Sequence, residues 1–236
     1  MSVGASGPPV AVDVVFERFP ASVRGAVVVR GTDPEPHQIR LDTLSVTEAH
    51  APSRVAHEVP SGAVTVDVVP RGEILIPFDV PFTELAPGWY GVTAAVVVDG
   101  QQRIEGPGEI RRFVVPWPAE EIRKGSIPAD LPIRVPGSQG AVVERVDCKA
   151  DRAIVRWRHA PGESAGEPEF PDLRVFAGSR RLPNVDSGGD PGTGERITVT
   201  HPVLKRHRQL TFEIDRRFRH GRPAQRGKWS ASLDLP

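Results

Sequence analysis

Cysteine is nearly missing from this chain of 236 residues: Cys148 is the only one, and Tyr90, Asn184 and Met1 are likewise alone in their classes. A lone thiol cannot close an internal disulfide, and small domains that fold without one suit a reducing compartment. No apolar run approaches the about 18 residues that a membrane-spanning helix needs. The first residues, MSVGASGPPVAVDVV, lack a positive charge followed by an apolar stretch, so no secretory leader is read there. Together these absences predict a cytoplasmic protein without a membrane span.

Charge of one sign is scarce only locally. Residues 1–117 carry 9 Arg and no Lys against 14 Asp and Glu, a net of −5, whereas residues 118–236 carry 21 basic against 16 acidic side chains, a net of +5. Such halves can attract each other, or the basic half can meet an anionic partner. The excess of Arg over Lys, with so few Asn, Tyr and Met, reads as a coding bias rather than as selection for nucleic acid.

Helical periodicity is also absent over most of the chain. Short β-branched runs ended by Gly, Pro or Asp predict strands at 10–18, 25–30, 38–47, 63–69, 73–80, 89–98 and 109–115. Ile39, Leu41 and Leu44 alternate with Arg40 and Asp42, as half-buried strands require. Asp99-Gly100 predicts a type I′ hairpin turn, which needs positive φ at both central residues. Strands are predicted again at 141–148, 152–159, 172–177, 196–201, 209–215 and 228–235. Ala153, Val155 and Trp157 fall on one face and Arg152, Arg156 and Arg158 on the other, and Leu210, Phe212 and Ile214 repeat the pattern. Trp157 and Trp229 are therefore expected in the second core. Residues 118–137 hold many prolines and read as a stiff connector. Within it Pro118, Glu120-Glu121, Arg123-Lys124 and Gly125 have the polarity of a short helix. The expected fold is all-β: two tandem antiparallel β-sandwich domains, an acidic one at 1–117 and a basic one at 138–236, joined by the Pro-rich linker.

The segment LAPGWYGVTAAVVVDG, residues 85–100, resembles the stretch that opens strand F in fibronectin type III and related immunoglobulin-like domains. The resemblance implies that the Tyr90 hydroxyl bonds back to upstream backbone, a tyrosine corner, beside Trp89. ILIPFDVPFTELAPG, residues 74–88, is similar, more loosely, to the apolar-Phe-Pro strand of arrestin-like tandem sandwiches. Both imply sandwiches used for adhesion, scaffolding or docking, and neither brings catalytic residues.

Chemistry-bearing motifs fail on inspection. His57-Glu58 has no second histidine one helical turn away, and Pro60 forbids the helix a zinc hydrolase would use. Gly137-Ser138-Gln139-Gly140 is one residue short of a nucleophile elbow. Cys148 reads as a small buried hydrophobe. Residues 186–195 form a glycine-rich loop in which Glu195 follows Gly194, where a phosphate cradle would place Lys, so a mobile surface loop is expected. His201, His207 and His220 have no ligand spacing. No metal, cofactor or catalytic group is expected.

The most suggestive segment is KRHRQLTFEIDRRFRHGRPAQRGK, residues 205–228. Lys205, Arg206, Arg208, Arg216, Arg217, Arg219 and Arg222 are its expected partner-binding residues; Glu213 and Asp215 fall by parity on the same strand face as Arg217 and Arg219, which offers cross-strand ion pairs. The favoured expectation is a non-enzymatic interaction or scaffold module that binds a protein partner through sandwich edges, loops and this strip. A binder of nucleic acid or another polyanion is the alternative, and an accessory domain of a carbohydrate- or peptide-acting enzyme a further one.

Overall fold

The computed structural model describes residues 7–60, 64–108, 110–134, 140–159, 172–190, 193–217 and 226–236. The chain divides into two compact units, Met1–Val115 and Pro116–Pro236. Pro116 and Trp117 are uncharged, so the opposite net charges of the two halves are those of the two units.

The first unit contains β1 (Val10–Arg18), β2 (Ser22–Gly31), β3 (His37–Glu48), β4 (Ala51–Glu58), β5 (Thr65–Val68), β6 (Glu73–Pro81), β7 (Gly88–Val98), β8 (Gln102–Gly106) and β9 (Arg112–Val115). One sheet runs β1-β2-β6; the other runs β4-β3-β7-β8, with β5 also on β3 and β9 also on β7. All pairs are antiparallel. Period-two burial explains the layering: Ile76, Phe78 and Val80 of β6 point inward while Leu75, Pro77 and Asp79 face out. The core closes on Val27, Val29, Ile39, Val46, Val92 and Val96, all fully buried. At one end Phe113 packs with Phe16, Phe82 and Tyr90 at ring separations of 5.7, 6.3 and 5.8 Å. The Asp99-Gly100 turn has φ of 50° and 69°, as a type I′ hairpin between β7 and β8 demands.

The second unit contains β10 (Gly125–Ile133), β11 (Ala141–Cys148), β12 (Ala153–His159), β13 (Asp172–Ala177), β14 (Arg180–Leu182), β15 (Asn184–Gly189), β16 (Glu195–Thr200), β17 (Gln209–Arg217) and β18 (Arg226–Asp234). Its sheets run β10-β11-β12-β16-β15 and β14-β13-β17-β18. Val143, Val155, Leu173, Leu210 and Phe212 are fully buried between them. Trp157, 3% exposed, donates its indole N–H to the Thr198 hydroxyl at 3.1 Å, and Trp229 packs on the core from β18. The two sheet pairs make each unit an all-β sandwich, and among the described residues there is no α-helix.

Three expectations differ from what is observed. Residues 118–124 make a turn rather than a helix: the Glu121 N–H reaches the Pro118 carbonyl at 3.0 Å, and Ile122 then bridges Leu204. Burying Ile122 against the second core offers more than a helix too short to propagate. Beyond it, the stretch expected as connector carries β10, with a bulge between Pro128 and Leu131 where Asp130 has φ 41°. Prolines read as linker, but β10 is an edge strand, where a missing N–H costs no ladder bond. The glycine-rich segment expected as a mobile loop from residue 186 supplies instead the end of β15, another edge strand paired to β16; residues 191 and 192 lie outside the described residues.

Candidate functional site

Tyr90 donates its hydroxyl to the Ala86 carbonyl at 2.8 Å, four residues upstream, and burial is the first cause that pushes its phenol above its ordinary value. With Tyr90 only 6% exposed, Tyr90→Phe leaves that carbonyl without its partner and is expected to cost about 1–3 kcal/mol in the first unit, measured by urea unfolding. Trp89 is half-buried beside it, opposite Val114 of β9. These residues tie a corner of the sandwich.

The remaining reactive side chains have structural partners. His57 pairs with Glu84 at 3.0 Å. Cys148 is 3% exposed, and burial pushes its thiol up, away from the thiolate a nucleophile needs. Among the described residues no group of three or more His, Cys, Asp or Glu could hold a metal ion. No helix described is long and apolar enough to cross a membrane. A cleft of about 360 Å³ is lined, among the described residues, by Val12, Asp13, Gly108 and Arg111.

His37 is clasped from both sides. Its Nε2 lies 2.8 Å from Asp33 and its Nδ1 2.7 Å from Asp99, whose other oxygen accepts the Gln38 N–H at 2.9 Å. The Asp99 and Asp33 hydrogen bonds raise the imidazole above 6.5, and the bond to His37 lowers Asp99 below 3.8. The clasp therefore stabilises fully below the unfolded histidine value, fades as pH rises through the raised one, and is lost in acid as Asp99 protonates.

The basic strip resolves into a compact cationic cluster built by a second local pairing. The Arg123 N–H bonds Val203 O at 2.9 Å and the Lys205 N–H bonds Glu121 O at 2.7 Å, flanking the Ile122–Leu204 bridge. Ile122, Val203 and Leu204 point inward and are buried, which pushes Lys205, Arg206 and Arg208 to the surface. His207 turns back: its Nδ1 accepts the Leu204 N–H at 3.1 Å, and its carbonyl accepts from Arg123 at 3.4 Å. Burial, then the positive charges of Arg206, Arg180 and Arg123, hold His207 below its ordinary value. Glu121 meets Arg206 at 3.1 Å with both side chains substantially exposed, a pair worth at most about 1 kcal/mol.

His37 and His207 give the two units opposite pH slopes. As pH rises above the ordinary histidine value and through the raised one, the first unit should lose stability as its imidazolium is titrated, and a His37→Gln variant should flatten that loss. Below about pH 6.5 the second unit should lose stability, because its unfolded chain binds a proton that folded His207 resists. Denaturant midpoints for each unit across this range check both signs.

Only part of the strip joins this cluster. Arg216 and Arg217 lie at the far end of β17, in register with Gly227 and Arg226, and Arg219 and Arg222 lie outside the described residues, as does His220. Glu213 makes cross-strand ion pairs, with Arg174 of β13 at 3.5 Å and Lys228 of β18 at 3.8 Å. His201 stacks edge-on against Trp117 at 5.1 Å. Sequence reasoning missed Arg123 and Arg180; their distance in sequence from residues 205–208 left no signal, and only the Ile122–Leu204 bridge and the position of β14 bring them there.

No family model matches the chain, and no curated protein matches it. Among solved structures, it is similar to the crystal structure of a conserved domain protein from Bacillus anthracis, at 12% identity and a TM-score of 0.41, covering 98% of this chain and 89% of that one.

Proposed function

We propose that this chain is a non-enzymatic protein-binding module that captures an acidic partner surface through the cationic cluster of its second unit. The observation that carries the reading is the run of exposed Lys205, Arg206 and Arg208 held beside Arg123 by the pairing of residues 121–123 with 203–205, with Arg123 on the His207 carbonyl, Glu121 meeting Arg206, and Arg180 near enough for its charge to act on His207. A protein carboxylate surface suits it better than nucleic acid, because Phe212, the strip's aromatic within the described residues, is fully buried and offers no face for base stacking. The first unit is read as immunoglobulin-like, supported by the Tyr90 corner, and the cytoplasm is the proposed compartment, supported by the lone buried thiol of Cys148. Edge pairing takes a lesser part: Pro52, Pro77, Pro81, Pro128 and Pro132 lie in β4, β6 and β10, all edge strands, and withhold the N–H groups that an added strand would need.

The test compares a fluorescent polyglutamate peptide with a single-stranded oligonucleotide of equal charge. The triple variant Arg180→Ser, Arg206→Ser, Arg208→Ser, all at exposed positions, should bind the peptide at least about tenfold more weakly at low salt with its melting temperature nearly unchanged. Equal peptide binding by wild type and variant would rule the cluster out, and preferential capture of the oligonucleotide would transfer the reading to nucleic acid.

A further inference from the structure

The outer face of the β1-β2-β6 sheet has an ordered pattern of its own. Its register places four rows of outward side chains across the strands: Ala11, Arg30 and Glu73; Asp13, Val28 and Leu75; Val15, Ala26 and Pro77; Glu17, Arg24 and Asp79. The two middle rows are apolar on β2 and β6: Leu75, 60% exposed, and Pro77 form their open part, Ala26 is half-buried, and Val28 is only 2% exposed. An ion pair closes each end, Arg30–Glu73 at 2.6 Å and Arg24–Asp79 at 2.9 Å, all four side chains about half exposed. An apolar centre with a charged rim is the anatomy of a docking surface.

The charges say what fits it. Both arginines stand on β2 and both acids on β6, so the face carries a basic column beside an acidic column. A second copy turned by a two-fold axis that runs along the strands between β2 and β6 lays its Arg30 over Glu73 and its Arg24 over Asp79. The same rotation lays the exposed Leu75 and Pro77 of each copy over the other's β2 at the rows of Val28 and Ala26, so β6 supplies most of the apolar contact. A two-fold axis across the strands would instead stack Arg30 on Arg24, which like charges forbid. The face is thus complementary to itself in one orientation, as an isologous interface requires. Pro77 on β6 discourages pairing at that strand's edge, leaving the face as the surface to cover.

We propose that the chain self-associates through the outer β2–β6 face of its first unit, as a weak two-fold dimer. The strength follows from size. Two strands about 4.8 Å apart and four rows about 7 Å apart span on the order of 300 Å², well under the roughly 800 Å² per partner of a stable complex. Association is therefore expected in the upper micromolar range and would multiply the cationic clusters per particle.

Sedimentation velocity from about 10 µM to about 1 mM tests it. Wild type should move from monomer toward dimer across that range, and Leu75→Lys, an exposed change that leaves the melting temperature alone, should stay monomeric. Arg30→Glu and Glu73→Arg should each be monomeric alone, yet an equimolar mixture of the two should dimerise, because every facing charge is then opposite again. A wild type that remains monomeric at 1 mM, a Leu75→Lys variant that dimerises as well as wild type, or a mixture no more associated than its components overturns the proposal.

Discussion

Phe212→Ala is expected to cost about 3–5 kcal/mol, among the largest effects of any single change in this chain. Phe212 is fully exposed to neighbours and not to solvent: it is 0% accessible, lies between Val175 on β13 and Ala231 on β18, and is the largest of the fully buried side chains. Truncation leaves a cavity that β17, held between ladders to β13 and β18, cannot collapse to fill. A domain of this size holds about 5–15 kcal/mol in total, so the second unit should be brought close to its unfolding threshold at physiological temperature. The buried residues of its core all lie between Ile133 and Leu235, whereas those of the other core lie between Val10 and Val115. Calorimetry should therefore show one transition falling steeply while the other keeps its midpoint.

Gly106→Ala is the complementary experiment in the first unit. A Cβ at Gly106 would lie 2.3 Å from the Val12 carbonyl oxygen and 2.8 Å from its carbon, both main-chain atoms of β1 in the other sheet. Backbone cannot swing aside as a side chain can, so one sheet must move, at about 1–3 kcal/mol or more. The shift should appear in the transition that Phe212→Ala spares. If each variant lowered both transitions equally, the two cores would have to be one cooperative unit.

The strands legible in the sequence were those with an inner face. Alternation marked β1, β11, β13 and the body of β17, because each is flanked on at least one side and buries every second residue. Those it concealed are edges. The side chains of β4 are almost all exposed, β14 is three residues long, β15 ends in Ser187-Gly188-Gly189, and β10 carries Pro128 and Pro132. Their stability comes from backbone bonds to one neighbour, which no residue pattern records.

The candidate site divided along the same line. Lys205, Arg206 and Arg208 were legible as a dense basic run, and the structure adds why they are exposed: Val203 and Leu204 take the inward positions just before them. The contributions of Arg123 and Arg180 depend on long-range pairing and were invisible. Parity made cross-strand ion pairs of Glu213 legible, but not that Arg174 and Lys228 would be the partners. Parity along one strand predicts which side a charge faces, and only the register between strands predicts whom it meets.

Amide chemical-shift mapping during titration with an acidic peptide tests the central claim most directly. The account predicts saturable, salt-sensitive shifts concentrated at residues 121–124, 180–181 and 204–208, with the first unit's amides unmoved. Shifts confined to other surfaces, or none at peptide concentrations that saturate an ordinary basic patch, would contradict it.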